Sequence, residues 1–315
     1  MEVLTGPLLK QMIIESFHRI DDKVDYLNDI NVFPVPDGDT GLNIYITMSK
    51  VVEELEKNDS NLTIQQAAKS IAKGAFSGAK GNSGVILSQF FIGFSKTIEN
   101  EFLITTEIFA NALIEGSKRA YTAVMNPREG TILSVIRETA EAAISKTKNG
   151  ESWREVVEHC YEVAQQSTLN TPNLLDELKK AGVVDAGALG FVYLIQGWLF
   201  VIANTVQGPK IIDIRSDLEN LHNNLDLNHS LDNLQYRFCT EGLLTNSSYD
   251  KDEIEYELKS FGDSFLLISD SNSYKMHIHT NTPTSVIKRF SQYGKLQSVK
   301  IDDMKTQTIS THKKI

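Results

Sequence analysis

The stretch NVFPVPDGDTGLN, from Asn31 to Asn43, sets two carboxylates on either side of a glycine. Pro34 and Pro36 remove backbone donors and restrict the chain to extended geometry. Asp37 and Asp39 are therefore presented on a braced loop, just before a run of residues with helical spacing. Two negative charges held this close together favour a cationic partner.

This loop has two interpretations. In the first it only starts a helix: Asp39 or Thr40 caps a helix that begins near Leu42, and Asp37 lies beside its positive end. That interpretation explains one carboxylate well and two poorly. In the second, both aspartates bind a hard cation, because magnesium typically takes one or two carboxylates and leaves its other positions to water and phosphate oxygens.

Outward from this loop, the first two hundred residues follow a helical pattern. Apolar residues recur every three or four positions, and short loops with Pro, Gly, Asn and Asp separate the runs. Helices joined in this way favour an all-helical bundle or barrel. The apolar positions are Leu9, Ile13, Phe17, Ile20, Val24 and Leu27, then Ile64, Ala68, Ile71 and Ala75, then Ile132, Val135 and Ile136, then Trp153, Val156, Val157 and Cys160.

Three further loops share a pattern of small residues just before a predicted helix. In GAKGNSGVILSQ, glycines surround Asn82 and Ser83 ahead of an apolar run, so amides at a helix N-terminus are available to an anion. The alternative is a tight contact between helices that needs small residues. Thr131 opens a helix in NPREGTILSV, and Asp185 precedes a glycine in VVDAGALG. The chain has no Walker A sequence, so a phosphate site here is not of the P-loop kind.

The segment Ala186 to Val206 is almost long enough and apolar enough to cross a bilayer. A helix buried in the middle of a bundle has the same composition. Gln196 and Asn204 lower its hydrophobicity, and no basic cluster flanks it. We therefore favour a buried helix and expect no stable membrane insertion.

After a polar, Asn- and Asp-rich stretch, the apolar period changes to two. Strands are predicted over 235–244, 264–269, 274–280 and 295–301, with helices near 252–260 and 284–293. The sequence thus predicts a multidomain α and α+β protein. Its parts are an all-helical barrel or bundle over 1–206, a linker over 207–233, and a small βαββαβ-type α/β domain over 234–315.

The second region carries a possible metal site. His277 and His279 project from one face of a strand, and Cys239 lies on the polar face of another. If the two strands are close in the sheet, one thiolate and two imidazoles converge on a face without apolar residues, and zinc is the metal that such ligands favour. Glu241 or a water would supply a fourth ligand. The alternative is an exposed polar sheet face without a metal.

Composition bounds the remaining possibilities. The net charge is −10 and no basic patch is evident, which argues against nucleic acid as a partner. The two cysteines are far apart and form no CxxC, and the N-terminus lacks the pattern of a signal peptide. We therefore expect a cytoplasmic protein. Its oligomeric state is left open, with a homodimer as one possible assembly.

Together these motifs resemble a known family. In order along the chain they are NVFPVPDGDTG, GNSGVILSQ, EGTIL, TPNLL and VVDAG, followed by YRFCTE, FGDS and HIHT. The first two hundred residues resemble the kinase domain of the fatty acid kinase A-subunit, which is related to the L-subunit of dihydroxyacetone kinase. The resemblance implies an all-helical barrel that binds ATP with two magnesium ions at one end.

The resemblance also assigns residues. It implies Asp37 and Asp39 as catalytic metal ligands, with Asn31 where the related dihydroxyacetone kinase has a third aspartate at a different spacing. It implies a zinc ion, structural or regulatory, at Cys239, His277 and His279. The residues that the resemblance implies around the nucleotide are Thr40, Gly41, Asn43, Asn82, Ser83, Thr131 and Asp185.

The implied reaction is transfer of phosphate from ATP to a fatty acid carboxylate, giving an acyl phosphate for phospholipid synthesis. The implied partner is a DegV-like fatty-acid-binding B-subunit that presents the acid. Two alternatives stay open: a kinase for a small polyol or ketone such as dihydroxyacetone, and a nucleotide- and zinc-binding regulatory or scaffold protein without turnover. Family members continue into a large C-terminal domain, which we expect to be absent from a sequence that stops at Ile315.

Overall fold

The computed structural model describes residues 3–148, 150–205 and 235–305. These residues form two compact units. The first is helical, and the second contains the sheet of residues 235–305 together with the short segments 34–38 and 122–126. The linker predicted over 207–233 lies outside the described residues, so the predicted domain bounds 1–206 and 234–315 stay predictions.

The first unit is built from α-helices, as the apolar spacing predicts. Short loops join them, and local signals fix several ends. Thr63 and Gln66 form a capping box at the start of one helix, and Ser152 and Glu155 form another. The helices are α1 (Gly6–Asp21), α2 (Val24–Asp29), α3 (Thr40–Glu56), α4 (Ile64–Gly78), α5 (Gly81–Ile98), α6 (Thr106–Ala123), α7 (Ile132–Thr147), α8 (Trp153–Leu174), α9 (Asp176–Ala181) and α10 (Ala186–Thr205).

Helix α10 is a core helix of this unit. A Cβ built on Gly197 would lie 2.4 Å from the backbone nitrogen of Ser16, so α10 and α1 meet backbone to backbone. The Ser16 hydroxyl donates to the carbonyl of Leu194 at 2.7 Å and joins the two helices. In the described part of the chain, α10 is the one helix long and apolar enough to cross a membrane, and 83% of that stretch is buried. The structure thus agrees with the buried-helix interpretation.

The second unit has the predicted βαββαβ order. The sheet runs β2-β3-β1-β4 with antiparallel neighbours, so β3 inserts between β1 and β2 in the ferredoxin-like manner. Helices and strands fall within a few residues of the bounds that the period-two pattern predicts. They are β1 (Phe238–Thr245), α11 (Lys251–Leu258), β2 (Gly262–Asp270), β3 (Ser273–Thr280), α12 (Pro283–Phe290) and β4 (Lys295–Asp303).

The two faces of this sheet differ. One face packs against α11 and α12 and forms the apolar core of the unit, with Met276 and Ile278 of β3 fully buried beside Phe290 of α12. Because side chains alternate along a strand, His277 and His279 lie on the opposite face. The register fixes their neighbours there, since Cys239 pairs with His279 and Glu241 with His277.

Candidate functional site

Helix α3 begins at Thr40, and Asn31 caps it. The Asn31 side-chain oxygen accepts a hydrogen bond from the Thr40 backbone nitrogen at 3.1 Å and a second, short one from the Thr40 hydroxyl. Asp39 occupies the N-cap position, but its side chain makes no capping bond. Asp39 is thus the N-cap residue, as the first interpretation of the loop has it, but the helix begins at Thr40 rather than near Leu42 and Asn31 accepts the capping hydrogen bonds.

Asp39 is oriented by a partner on the first turn of α3. Its Oδ1 accepts a hydrogen bond from Asn43 Nδ2 at 2.7 Å. Asn43 is buried, and its own Oδ1 has no hydrogen-bond partner. Asp37 lies two residues earlier, and Gly38, in the left-handed conformation with φ 68°, turns the chain between the two aspartates. The loop thus presents both carboxylates, one of them held by a buried amide.

Helix α5 begins at Gly81 and packs closely on α3. A Cβ on Gly84 would lie 2.5 Å from Thr47 Oγ1 and 3.0 Å from the Asn43 carbonyl oxygen. The glycines of this loop therefore do serve a tight helix contact. The same contact brings the Ser83 hydroxyl to 3.3 Å from the Thr40 hydroxyl, so the first turns of α3 and α5 present neighbouring hydroxyl groups.

Helices α7 and α10 share one capping carboxylate. Asp185 Oδ1 accepts hydrogen bonds from the backbone nitrogens of Ala188 at 2.7 Å and of Ile132 at 2.9 Å. Thr131 is the N-cap of α7, as predicted, and its hydroxyl accepts from Leu133 N and donates to the Arg128 carbonyl. Burial raises the pKa of Asp185 to about 6, although the two N–H groups act to lower it.

These four helix starts lie at the same end of the helical unit. Gly190, in the second turn of α10, packs on Ile44 in the second turn of α3, because its Cβ would lie 2.5 Å from Ile44 Cδ1. Gly84 places the start of α5 on the same stretch of α3, and Asp185 ties α7 to α10. Caps already engage amides of α3, α7 and α10, at Thr40, Ile132 and Ala188, so a ligand would interact mainly with the partial positive charge of the helix N-termini. Their convergence makes this end of the unit suited to an anion.

Sequence reasoning missed two residues of the loop before α7. The Arg128 guanidinium carbon lies 6.0 Å from the centre of the Phe33 ring, which connects this loop to the one that carries the aspartates. Glu129 accepts hydrogen bonds from Tyr121 at 2.8 Å, Ser134 at 2.7 Å and Arg137 at 3.0 Å. No spacing rule marks these residues, because Glu129 accepts from two different helices and Arg128 contacts a ring in another loop.

In the sheet unit, Cys239, His277 and His279 come together as predicted. Their ligand atoms all lie within 4.8 Å of one another. His277 and His279 are 2% exposed, and one ring nitrogen of each, Nε2 of His277 and Nδ1 of His279, is buried without a hydrogen-bond partner. Buried polar atoms normally have partners, so these two atoms point to a ligand that the chain itself does not supply.

Two carboxylates border this cluster. Glu241 Oε1 lies 3.3 Å from His277 Nδ1, and Asp263 Oδ1 lies 3.6 Å from His279 Nδ1. Burial raises the pKa of the Cys239 thiol, but the adjacent His277 outweighs it and the pKa ends below its ordinary value. Burial lowers the pKa of His277, yet Cys239 and Glu241 hold it well above its ordinary value. Glu241 and Cys239 thus both face Nδ1 of His277, and Asp263 faces Nδ1 of His279, so both carboxylates border the cluster at these ring nitrogens.

The expectation that this sheet face carries no apolar residues is wrong. Leu266 of β2 pairs with His277, and Ile268 pairs with Lys275, so both leucine and isoleucine lie on the face of the histidines. Both are buried. The prediction considered only β1 and β3, and β2 contributes the apolar part. The Cys–His cluster is therefore buried rather than set on an exposed polar surface.

The chain belongs to the DAK2 family. The family model described as the DAK2 domain matches residues 34–200, which is more than half of the chain. A second model, described as the middle domain of proteins like the fatty acid kinase A-subunit, matches residues 235–311. The resemblance inferred from the motifs is confirmed.

Curated proteins of Staphylococcus aureus are similar to nearly the whole of this chain. Uncharacterized proteins of Staphylococcus aureus strains USA300, NCTC 8325 and COL are each 39% identical over 311 residues, covering 96% of this chain and 56% of their own length. The chain therefore spans about half the length of the curated relatives it matches.

Two solved structures show a weaker similarity. The dihydroxyacetone kinase from C. freundii in complex with AMP-PNP and Mg²⁺ gives a TM-score of 0.47 at 16% identity, covering 61% of this chain and 33% of that one. Its native form gives 0.46 at 17% identity, covering 61% and 34%. At these scores the comparison carries no weight for site or mechanism.

Proposed function

We propose that this chain binds ATP with magnesium where the N-termini of α3, α5, α7 and α10 meet, and that it transfers the terminal phosphoryl group to a fatty acid carboxylate. The observation that carries the proposal is the convergence of four helix N-termini beside a loop with two aspartates. The match to the DAK2 domain and to the fatty acid kinase middle domain supports the same function. The product is an acyl phosphate, and its proposed use is phospholipid synthesis.

The aspartate loop suits magnesium. Asn43 holds Asp39 through one carboxylate oxygen, and Asp37 lies two residues earlier on the same loop, so the two carboxylates together are candidates for a cation. Magnesium bound there supplies neutralisation of phosphate charge, the main need of phosphoryl transfer. Asn31 is a weaker candidate, because its oxygen already accepts two hydrogen bonds from Thr40. Its assignment as a third ligand stays a prediction.

The hydroxyl groups at the helix starts suit the phosphates. Thr40 and Ser83 are neighbours on α3 and α5, and Thr131 opens α7. We assign Gly41, Asn43 and Asn82 to the same site, since they lie on the first turns of α3 and α5. Asp185 contributes by fixing the ends of α7 and α10 rather than by facing phosphate, because its Oδ1 is engaged by two backbone amides.

A carboxylate acceptor explains why the site needs no general base. A fatty acid is ionised at neutral pH and is already nucleophilic, so no proton has to be removed. The centre of the helical unit is filled by packed aromatic rings, with Phe94 6.1 Å from Trp198 and Phe90 5.2 Å from Phe191 between ring centres. A long acyl chain would not fit among them. We therefore propose that a separate DegV-like fatty-acid-binding protein presents the acid.

We also propose that Cys239, His277 and His279 bind zinc. A thiolate and two imidazoles are ligands that zinc favours, and the two unpartnered ring nitrogens fit a metal in this cluster. Glu241, next to His277, is the nearest candidate for a fourth ligand. The burial of the cluster in the sheet unit favours a structural role.

The test is transfer of label from γ-³²P ATP to oleate bound to the fatty-acid-binding protein. The chain is compared with a longer one that matches the full length of the Staphylococcus relatives. We expect labelled acyl phosphate, trapped as the hydroxamate, in at least the longer chain and only with the carrier present. Phosphorylation of dihydroxyacetone without a carrier would show that the acceptor is a small polyol or ketone and not a fatty acid. ATP binding without any transfer by either chain would favour a regulatory role.

A further inference from the structure

Glu129 stands at the centre of a hydrogen-bonded network that the proposed chemistry does not use. Its Oε1 accepts from the Tyr121 hydroxyl on α6 at 2.8 Å. Its Oε2 accepts from the Ser134 hydroxyl at 2.7 Å and from the Arg137 guanidinium at 3.0 Å, both on α7. Arg137 closes the network by donating to the Tyr121 oxygen at 3.3 Å. One carboxylate thus connects two helices.

The network reaches the backbone of the loop before α7. The Ser134 hydroxyl that donates to Glu129 accepts a hydrogen bond from the Gly130 backbone nitrogen at 2.8 Å. Gly130 has φ 83°, a conformation that side chains rarely adopt, and its Cβ would lie 2.7 Å from Leu174 Cβ. The turn at Gly130 is therefore fixed both by its conformation and by a chain of hydrogen bonds that ends on Glu129.

Stability alone does not account for this arrangement. The side chains of Glu129 and Arg137 are 53% and 37% exposed, and ion pairs at such exposure contribute little to folding. The ion pair nevertheless holds the segment 127–131, which contains Arg128 beside the Phe33 ring and Thr131 at the start of α7. The geometry favours a role in shaping this loop over a role in holding the fold.

We propose that Glu129 is a positioning residue that pre-organises the segment 127–131 for the phosphates of a nucleotide. The proposal rests on the proposed function for the identity of the ligand, but not for the state of the free loop. When the carboxylate is lost, the loop samples other conformations, and the binding-competent fraction falls. Affinity for the nucleotide falls by the same factor.

Arg137 offers a matched control. Its guanidinium also lies 3.4 Å from Glu141, one turn further along α7 and ten residues beyond Thr131. Glu141→Gln removes one charge from the same arginine and leaves the Glu129 network intact. Glu129→Gln and Glu141→Gln therefore make the same change in charge and side-chain size. Only Glu129→Gln alters a residue of the loop.

The first measurement is hydrogen exchange of the backbone amides 129–133 in the nucleotide-free chain. We expect Glu129→Gln, and Ser134→Ala as a second variant, to speed exchange at these amides about tenfold. Glu141→Gln should leave exchange unchanged, and the melting temperatures of Glu129→Gln and Glu141→Gln should agree. Equal exchange in Glu129→Gln and wild type would overturn the proposal, whatever the ligand of the site is.

The second measurement is calorimetric titration with ATP and magnesium. We expect about tenfold weaker binding by Glu129→Gln, with a less favourable entropy because binding now orders the loop, and no change by Glu141→Gln. Nucleotide should restore slow exchange at amides 129–133 in Glu129→Gln. Wild-type affinity in a variant whose loop exchanges faster would refute the link to the nucleotide. A wild-type chain that binds no ATP would refute the proposed function, and exchange would still decide whether Glu129 holds the loop.

Discussion

Asp185 couples the stability of the helical unit to pH. Burial raises the pKa of its carboxyl to about 6, from an ordinary value of 3.8. The folded state then binds the proton more tightly than the unfolded chain does. Protonation of Asp185 therefore stabilises the fold, and this contribution is fully present below about pH 4. It is lost as the pH rises through about 6. The carboxylate is retained as a double cap at some cost in stability at neutral pH.

Asp185→Asn tests this coupling. The amide oxygen can still accept the bonds from Ile132 and Ala188, but the side chain no longer ionises. We expect the free energy of unfolding of wild type to fall relative to the variant by about 2 kcal/mol between pH 4 and pH 7. Urea unfolding across this range measures it. Asp176→Asn, at an exposed position on α9, is the control, and parallel pH profiles for Asp185→Asn and wild type would refute the coupling.

Cys239→Ala tests the zinc site at the residue scale. Removing the thiolate leaves two imidazoles, so the metal content of protein purified without added zinc should fall to near zero, and the melting temperature should fall with it. Elemental analysis and calorimetry measure the two. Cys160→Ala removes the other thiol, which is buried in α8, and should leave zinc content unchanged. If the native protein contains no metal and chelators do not change its stability, the zinc assignment is refuted and the three residues are only a buried polar cluster.

At the scale of elements, we expect individual hydroxyl groups on the first turns of the helices to contribute to ATP binding. Ser83→Ala removes a hydroxyl from the first turn of α5 while leaving the helix contact made by its neighbour Gly84. We expect ATP binding to weaken by about 1 kcal/mol for a neutral hydrogen bond, and by more if the partner is a charged phosphate oxygen. Calorimetric titration measures the change.

Ser145→Ala is the matched control for Ser83→Ala. Ser145 lies near the C-terminal end of α7, where its hydroxyl donates to the Ala142 carbonyl. It should bind ATP as wild type does. Unchanged affinity in Ser83→Ala, beside an unchanged control, would remove α5 from the phosphate site.

Periodicity predicted most elements, because it reports which face of a helix or strand is buried. It predicted the βαββαβ order and the helical character of the first unit. It failed where a partner distant in sequence decides the outcome. The apolar spacing from Leu9 to Leu27 runs on across two helices, since the chain turns at Asp22 between α1 and α2. The cap of α3 comes from Asn31, which no local rule identifies.

The same limit applies to the candidate sites. Alternation along β3 and β1 predicted the faces of Cys239 and His279, and pairing in the sheet placed them together. The burial of this face could not be predicted, because it depends on β2 as well. The network around Glu129 joins residues of α6, α7 and the loop between them. Its members lie five to eight positions from Glu129 and follow no motif.

At the scale of the whole molecule, the account depends on one arrangement. Four loops that are far apart in the sequence meet where α3, α5, α7 and α10 begin. The motifs predicted the chemistry of each loop, but only packing at Gly84 and Gly190 and the shared cap at Asp185 bring the four together. An anion bound there faces several positive helix ends at once, and the aspartate loop adds a place for its counter-ion.

The most direct test of this account is calorimetric titration of the chain with ATP, with and without magnesium, in wild type, Asp37→Asn and Asp39→Asn. We expect wild type to bind ATP only with magnesium. Both variants should lose this binding with unchanged melting temperatures, because the two side chains lie on a partly exposed loop outside the core. Magnesium-dependent binding of undiminished affinity in both variants would contradict the central claim that these aspartates hold the metal of a nucleotide site.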